Sequence, residues 1–591
     1  MKQFFKFTFA SMLGMFLAFI LIFLLFIGII SVSVSLVDTK KTIQVSSKSV
    51  LHIKLNHKIP DRTIDNPFQN FDFGSMSPKK TVGLNDILEN IEKARTDENI
   101  KGIYLDISSI PTGLATIGEI RNALKTFKED SGKFIICYSE MYSQRAYYLA
   151  SVADKIYLNP EGYVEFKGMS TTIPFFKDAL EKLEIEAQII RHGKFKSAVE
   201  PFMLDKMSEA NREQTMTYVG SIWNHLLNDI SESRNIPFDE LNRIADNLLI
   251  ASAEDAVKYK IADQLMFKDE VLADLRERLE LEEDDKINFM SLGKYTNAPK
   301  EKKKGVIRDK IAVVYASGGI VSGEGDPDEI GSERISKAIR KARLDDKVKA
   351  IVLRINSGGG SALASDVIWR EMVLAKEVKT VVASMGNVAA SGGYYIACAA
   401  DTIVANPITI TGSIGVLGII FNAQKFFSNK LGITFDGVKT NEHSDLGSMV
   451  RPLTEGEKRI IQDEIERIYD VFITHVAEDR ELTKAEVDSI GQGRVWSGID
   501  AKRIGLIDVF GGLETAIELA ASMADIEDYR ILELPKQKDP FEKFLQELTG
   551  EVQTTLLKHQ LGDNYKYYKQ LQALPKMNGI QARIPYEIEI R

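Results

Sequence analysis

The sequence predicts an α/β protein built twice, two tandem repeats of alternating strands and helices behind one N-terminal transmembrane helix. Three observations carry this. Residues 391–407, SGGYYIACAADTIVANP, return at 144–160 as QRAYYLASVADKIYLNP, with Tyr394, Tyr395, Asp401, Asn406 and Pro407 matching Tyr147, Tyr148, Asp154, Asn159 and Pro160 at a constant offset of 247. Upstream, IKGIYLDISSIPTGLATIGEIRNAL (100–124) parallels VKAIVLRINSGGGSALASDVIWREM (348–372) at an offset of 248. Before both copies, Phe7 to Val37 runs for 31 residues without a charge.

That run defines the first element. About 20 apolar residues, rising ~1.5 Å each, cross a hydrocarbon core of roughly 30 Å. A cleaved signal peptide would carry an apolar region of only about 7–15 residues. Residues 7–37 therefore read as an uncleaved anchor after a short cytoplasmic N-terminus, 1–6. Ser31, Ser33 and Ser35 keep cleavage open as the competing reading. Lys2 and Lys6 precede the span, and Asp38, Lys40 and Lys41 follow it, so charge votes only weakly on orientation. With no second comparable span in the sequence, the body is expected outside the inner membrane.

The first repeat is placed at 45–297. It opens with SVLHIKLNHKIP (49–60), and continues with IYLDI, a helix, KFIICYS, a helix through the Tyr pair and ADKIYLNP. A linker at 298–309 sits within the charge-rich stretch from Leu281 to Gly305. The second repeat, 310–535, runs in the same order from KIAVVYASGGIV (310–321) through IVLRI and TVVASMG to ADTIVANP. Apolar strands alternating with helices make βαβ units and a mainly parallel sheet covered on both faces. The tail, 536–591, reads as polar and helical in parts, with no chemistry assigned.

Composition narrows the function classes. At 591 residues the chain exceeds one core. A net charge of −9 argues against nucleic acid as partner. Cys137 and Cys398 are the only cysteines, both in apolar stretches, so they read as buried free thiols or a single bridge, and the cores must hold the fold.

The two copies differ where chemistry would sit. Ser391 of the second copy faces Gln144 of the first, and Gly392 and Gly393 face Arg145 and Ala146. Ser391 begins a helix among Ala389, Ala390, Gly392 and Gly393, where a substrate backbone could approach and N-terminal amides could meet an oxyanion. Alone, such a serine is more often tight helix packing. The loop RINSGGGSA (354–362) adds glycines at a strand end, and its first-repeat counterpart SSIPTG has lost them. A nucleophilic serine needs a base. His443, in NEHSD, is one candidate, and Lys194 and Lys196 in RHGKFKSAVEPF (191–202) are others. Lys196 has small, apolar neighbours in Ser197, Ala198 and Val199, as a desolvated lysine base requires.

RHGKFKSAVEPF, NSGGGSA, AASGGYYIA and ANPITITGSIGVLG, in that order behind an N-terminal span, resemble the signal peptide peptidase A (protease IV) family in its long, duplicated form. The resemblance covers about residues 45 to 530. It implies stacked ββα units of the Clp-protease/crotonase superfamily, and a serine endopeptidase of Ser/Lys-dyad type that needs no metal or cofactor. By motif it assigns Ser391 as nucleophile, Lys196 as general base, Ser413 in TGSIG as the group orienting the lysine, and the amides of Gly359 and Gly392 as the oxyanion hole. Lys194 becomes a neighbouring decoy. It also implies a homotetramer at the bacterial inner membrane, single-pass and largely periplasmic, that degrades remnant signal peptides and other hydrophobic peptides. The family's usual Ser-Pro-Gly-Gly is here Ser357-Gly358-Gly359-Gly360, which removes a fixed φ and leaves open which amide faces the oxyanion. Two rivals, an acyl-CoA enzyme on the same fold and a silent membrane-tethered scaffold, leave the anchor with Lys196, or the retained Ser/Lys/Gly set, unexplained.

Overall fold

The computed structural model describes residues 2–38, 43–64, 71–72, 77–78, 82–299, 307–537 and 579–584. Lys2–Asp38 forms one 37-residue helix, and its stretch Gln3–Ile22 has a mean hydropathy of 2.0 with no part buried against the body. That is long and apolar enough to cross a membrane. The linker expected at 298–309 falls largely outside the described residues.

Each repeat builds its own parallel sheet. In the first, the strands lie in the order Gln264–Leu265, Lys155–Val164, Phe134–Tyr142, Ile100–Asp106, Ser49–Ile53 and Asn288–Ser291, every neighbouring pair parallel. In the second the order is Val495–Ser497, Ile410–Gly412, Thr380–Ala390, Val348–Ser357, Lys310–Ser317 and Arg530–Leu534. Thr402–Ala405 branches off Thr380–Ala390, and only Val495–Ser497 runs antiparallel to its neighbour. Val348–Ser357 is buried at eight of its ten positions because helices cover both faces, which is why IVLRI has no polar alternation. The copies diverge at Asn-Pro. Lys155–Val164 continues through Asn159-Pro160, whereas Thr402–Ala405 stops before Asn406-Pro407 and the chain turns into Ile410–Gly412.

A third, mixed sheet ties the repeats together. Its order is Glu329–Gly331, Gly319–Val321, Gly359–Ser361, Gly579–Arg583, Leu417–Asn422 and Glu186–Arg191. Glu186–Arg191 belongs to the first repeat and pairs antiparallel with Leu417–Asn422 of the second along its whole length, from Arg191↔Leu417 to Glu186↔Asn422. The pairing delivers the segment after Arg191 to the second repeat. The C-terminal tail, read as carrying no chemistry, supplies the strand Gly579–Arg583 to this sheet.

A buried ionic cluster locks the same interface. Arg354, wholly buried on Val348–Ser357, donates through Nε to Asp61 (2.8 Å) and through Nη2 to Glu119 (2.6 Å), both from the first repeat. Asp61 also accepts from Asn356 at 3.1 Å, and Glu119 from the Leu513 amide at 2.7 Å. An ion cluster out of water persists only when its members satisfy one another. Cys137 and Cys398 are buried free thiols.

Candidate active site

Ser391 sits where Thr380–Ala390 ends and the helix Gly392–Cys398 begins, with φ 55° and ψ −115°. A non-glycine residue in that region carries about 1–3 kcal/mol of strain, sustained only when its surroundings fix it. Here the Ser391 amide donates to Gly412 O at 2.8 Å, and its carbonyl accepts from the Tyr395 amide at 2.9 Å. The small residues around it are sterically required. A Cβ at Gly393 would lie 2.6 Å from Ser357 O, and one at Gly392 2.6 Å from Ser365 Oγ.

Lys196 arrives from the first repeat on the turn after Glu186–Arg191 and is 1% exposed. Its Nζ lies 2.8 Å from Ser391 Oγ, 3.0 Å from Ser413 O and 3.1 Å from Ser413 Oγ. Burial alone pushes its pKa down from 10.5 to about 7, since removing water penalises the ammonium form. Three features seat it. Gly493, at φ 83°, lets the chain pass where a Cβ would be 2.6 Å from Lys196 Cα. Gln214, fully buried on the helix Glu209–Arg234, donates to Phe195 O (3.1 Å) and Ser197 Oγ (2.9 Å) and accepts from the Val495 amide (3.1 Å). Ser413, at φ 51°, donates its amide to Arg494 O at 2.7 Å, which aims its oxygens at the amine. The sequence reading passed over Gln214 and Gly493, neither of which lies in a chemistry-bearing motif.

The structure separates Lys196 from its neighbours in the list of bases. Lys194 is exposed, its Nζ over the Phe195 ring at 5.2 Å. His443 is half-exposed and its Nδ1 lies 3.4 Å from Glu457. In the first repeat Gln144 fills the position of Ser391. It donates to Gly168 O at 3.0 Å and accepts from the amides of Lys167 and Gly168. Gly168 is the offset counterpart of Gly415, whose carbonyl lies 3.5 Å from Ser391 Oγ. In the first copy the position equivalent to Ser391 is thus a loop clamp.

The glycine loop lies beside the serine. Gly359 has φ 95°, and a Cβ there would come within 2.7 Å of the Gly392 nitrogen, so only glycine keeps the space between these two amides clear. The Gly359 amide donates to Ser357 Oγ at 3.1 Å, and that hydroxyl in turn donates to Gly318 O at 2.6 Å. The tail occupies the same space. Ala582 O lies 3.0 Å from where a Gly392 Cβ would be, Ile584 donates its amide to Gly358 O at 2.8 Å, and the Ile584 side chain lines a small cavity with Lys196, Tyr218, Ser413 and Val495. The tail's signal was legible in its alternation, since apolar residues stand at 580, 582 and 584 and polar ones at 581 and 583.

The sequence profile of peptidase family S49 matches residues 127–282 and again 374–527, once in each repeat. The chain belongs to peptidase family S49. It is a serine peptidase. It is 38% identical over 495 residues to protease 4 of Salmonella typhi, covering 82% of this chain and 79% of that one. Protease 4 of Haemophilus influenzae is 38% identical over 468 residues, covering 76% and 74%. The chloroplastic serine protease SPPA of Arabidopsis thaliana is 34% identical over 452 residues, covering 75% and 66%. Among solved structures, a ClpP1 mutant from Listeria monocytogenes aligns with 35% of this chain and 94% of its own, at 18% identity and a TM-score of 0.24.

Proposed function

We propose that this chain is a membrane-anchored endopeptidase in which Lys196 and Ser391 form the catalytic dyad. The observation that carries the reading is a buried lysine whose Nζ lies 2.8 Å from the hydroxyl of a strained serine. Lys196, neutral above pH about 7, takes the proton of Ser391 as Oγ attacks a peptide carbonyl. The amides of Gly392 and of Gly359, which must leave Ser357 Oγ to do so, hold the developing oxyanion, and Ser413 keeps the amine aligned. Lys196 then protonates the leaving amine, and the same lysine activates the water that releases the acyl group. The dyad explains the duplication, because the base comes from one repeat and the nucleophile from the other.

The substrates in this reading are extended, hydrophobic peptides, remnant signal peptides among them, met at the bacterial inner membrane by a single-pass protein whose bulk is periplasmic. The apolar helix Gln3–Ile22 and the similarity to protease 4 support it. A homotetramer belongs to the same reading. Leu431, Ile433, Phe435 and Val438 form an exposed apolar segment available to a second copy.

The test is fluorophosphonate labelling of the purified protein with the labelled peptide mapped. Label on Ser391 that disappears in Lys196→Ala and persists in Lys194→Ala is expected. Label that survives Lys196→Ala would remove the lysine from its role.

A further inference from the structure

One of the two amides assigned to the oxyanion is engaged elsewhere. Gly359 donates its N–H to Ser357 Oγ at 3.1 Å, two residues back in its own loop, and the Ser357 hydroxyl donates onward to Gly318 O at 2.6 Å. A serine side chain that closes such a turn competes with any other acceptor for the same amide. In this structure the Gly359 N–H is directed at Ser357, not at a substrate carbonyl.

The acceptor is fixed and the donor is not. Ser357 ends the strand Val348–Ser357 and is 2% exposed, and its carbonyl lies against the serine helix, 2.6 Å from where a Gly393 Cβ would be. Gly318 is held through its amide to Asn356 O at 3.1 Å, and Asn356 Nδ2 donates to Asp61 of the first repeat at 3.1 Å. Gly318 has φ 111°, and a Cβ there would collide with Asp328 O. By contrast, the peptide that carries the Gly359 N–H turns about ψ of Gly358 and φ of Gly359, and neither residue has a side chain to restrict it. The carbonyl of that peptide accepts from the Ile584 amide at 2.8 Å. Turning it therefore breaks two hydrogen bonds, of which only the one to Ser357 belongs to a side chain.

We infer that Ser357 is a positioning residue that sets how often the oxyanion hole is complete: its hydroxyl latches the Gly359 amide in the resting loop, and the amide serves the Ser391 intermediate only when that bond opens. The role rests on Gly359 being an oxyanion donor in the proposed dyad mechanism. Breaking one neutral hydrogen bond shifts a two-state balance by about three- to tenfold, and the observed rate scales with the fraction of loops that are competent. Ser357→Ala also takes the donor from Gly318 O. That loss is common to both loop orientations and leaves the balance between them unchanged.

The test uses the full-length protein in detergent and reads fluorophosphonate labelling of Ser391 beside hydrolysis of a hydrophobic peptide. Ser357→Ala is expected to label and turn over about three- to tenfold faster than wild type, with KM little changed. Ser357→Cys keeps a side chain of similar shape with a weaker acceptor. Its rate is expected to fall between the two, and it covers the case in which the alanine variant does not fold. A peptide aldehyde, which forms a hemiacetal oxyanion on a serine, should bind Ser357→Ala more tightly by the same factor as kcat rises. A side chain that merely supported the loop would give slower variants. Unchanged or lower kcat in both variants would overturn the latch and leave the dyad standing. No label on Ser391 in the wild type would overturn both.

Discussion

Replacing Lys196 by methionine separates what the lysine does from what its burial costs. An unfolded lysine titrates near 10.5, and the buried one near 7. The gap of 3.5 pH units corresponds to about 5 kcal/mol at pH 7, at ~1.36 kcal/mol per unit. Between pH 7 and 10.5 the unfolded chain holds a proton that the native one has released. Stability therefore rises with pH through this window by ~1.4 kcal/mol per unit, and below 7, where both forms are protonated, the contribution is flat. Methionine is similar in length and apolar, and it does not titrate. From pH 7.0 to pH 9.0 the wild type should gain about 2.5 kcal/mol more than Lys196→Met, while the variant is inactive at both values. Urea unfolding read by tryptophan fluorescence, to which Trp496 contributes from the strand that borders the lysine turn, measures the difference. Equal pH slopes for the two proteins, or an active methionine variant, would refute a neutral, buried base.

Other consequences follow from the same geometry. Hydrolysis of a hydrophobic peptide by the wild type should increase as pH rises through about 7, the range in which Lys196 loses its proton, and a rate that falls there would contradict the assignment. Gly359→Ala keeps the amide but puts a side chain on a φ of 95°, its Cβ 2.1 Å from Ala582 O and 2.7 Å from the Gly392 nitrogen, so the loop must shift; kcat is expected to fall by roughly 10²–10³, the usual scale for an oxyanion donor taken out of position. Ser413→Ala removes one hydrogen bond to the lysine and should lower kcat roughly tenfold with KM little changed, as a positioning role requires. Glu119→Ala strips one partner from buried Arg354 and should cost about 3–5 kcal/mol in denaturant unfolding, although Glu119 does not touch the site.

Much of the scaffold, and the residues that meet at the candidate site, could be read from the sequence because both are written in local patterns. Strand IVLRI, buried on both faces, declares itself by an unbroken apolar run, and the repeat offset pairs Ser391 with Gln144 before any fold is known. Lys196 stood out by the small, apolar residues after it, and its distance to Ser391 follows from a pairing that no local pattern records, Glu186–Arg191 against Leu417–Asn422. Gln214 and Gly493 were invisible for a related reason. A buried glutamine that ties two loops and a glycine that makes way for another residue's Cα are defined wholly by what folds against them. The tail is the instructive case. GIQARI alternates as a half-buried strand should, yet alternation names no partner, and a five-residue strand far from both repeats in sequence reads as a polar end. Its partners are edges contributed by the glycine loop and by the strand after TGSIG, the two segments that flank the Lys196–Ser391 contact. What the sequence marked as a departure, Gly358 where the resemblance implies a proline, and what it passed over, Ile584, are one contact: a Cβ at Gly358 would lie 2.6 Å from Ile584 Cγ1, so the bare loop leaves the space that the tail fills.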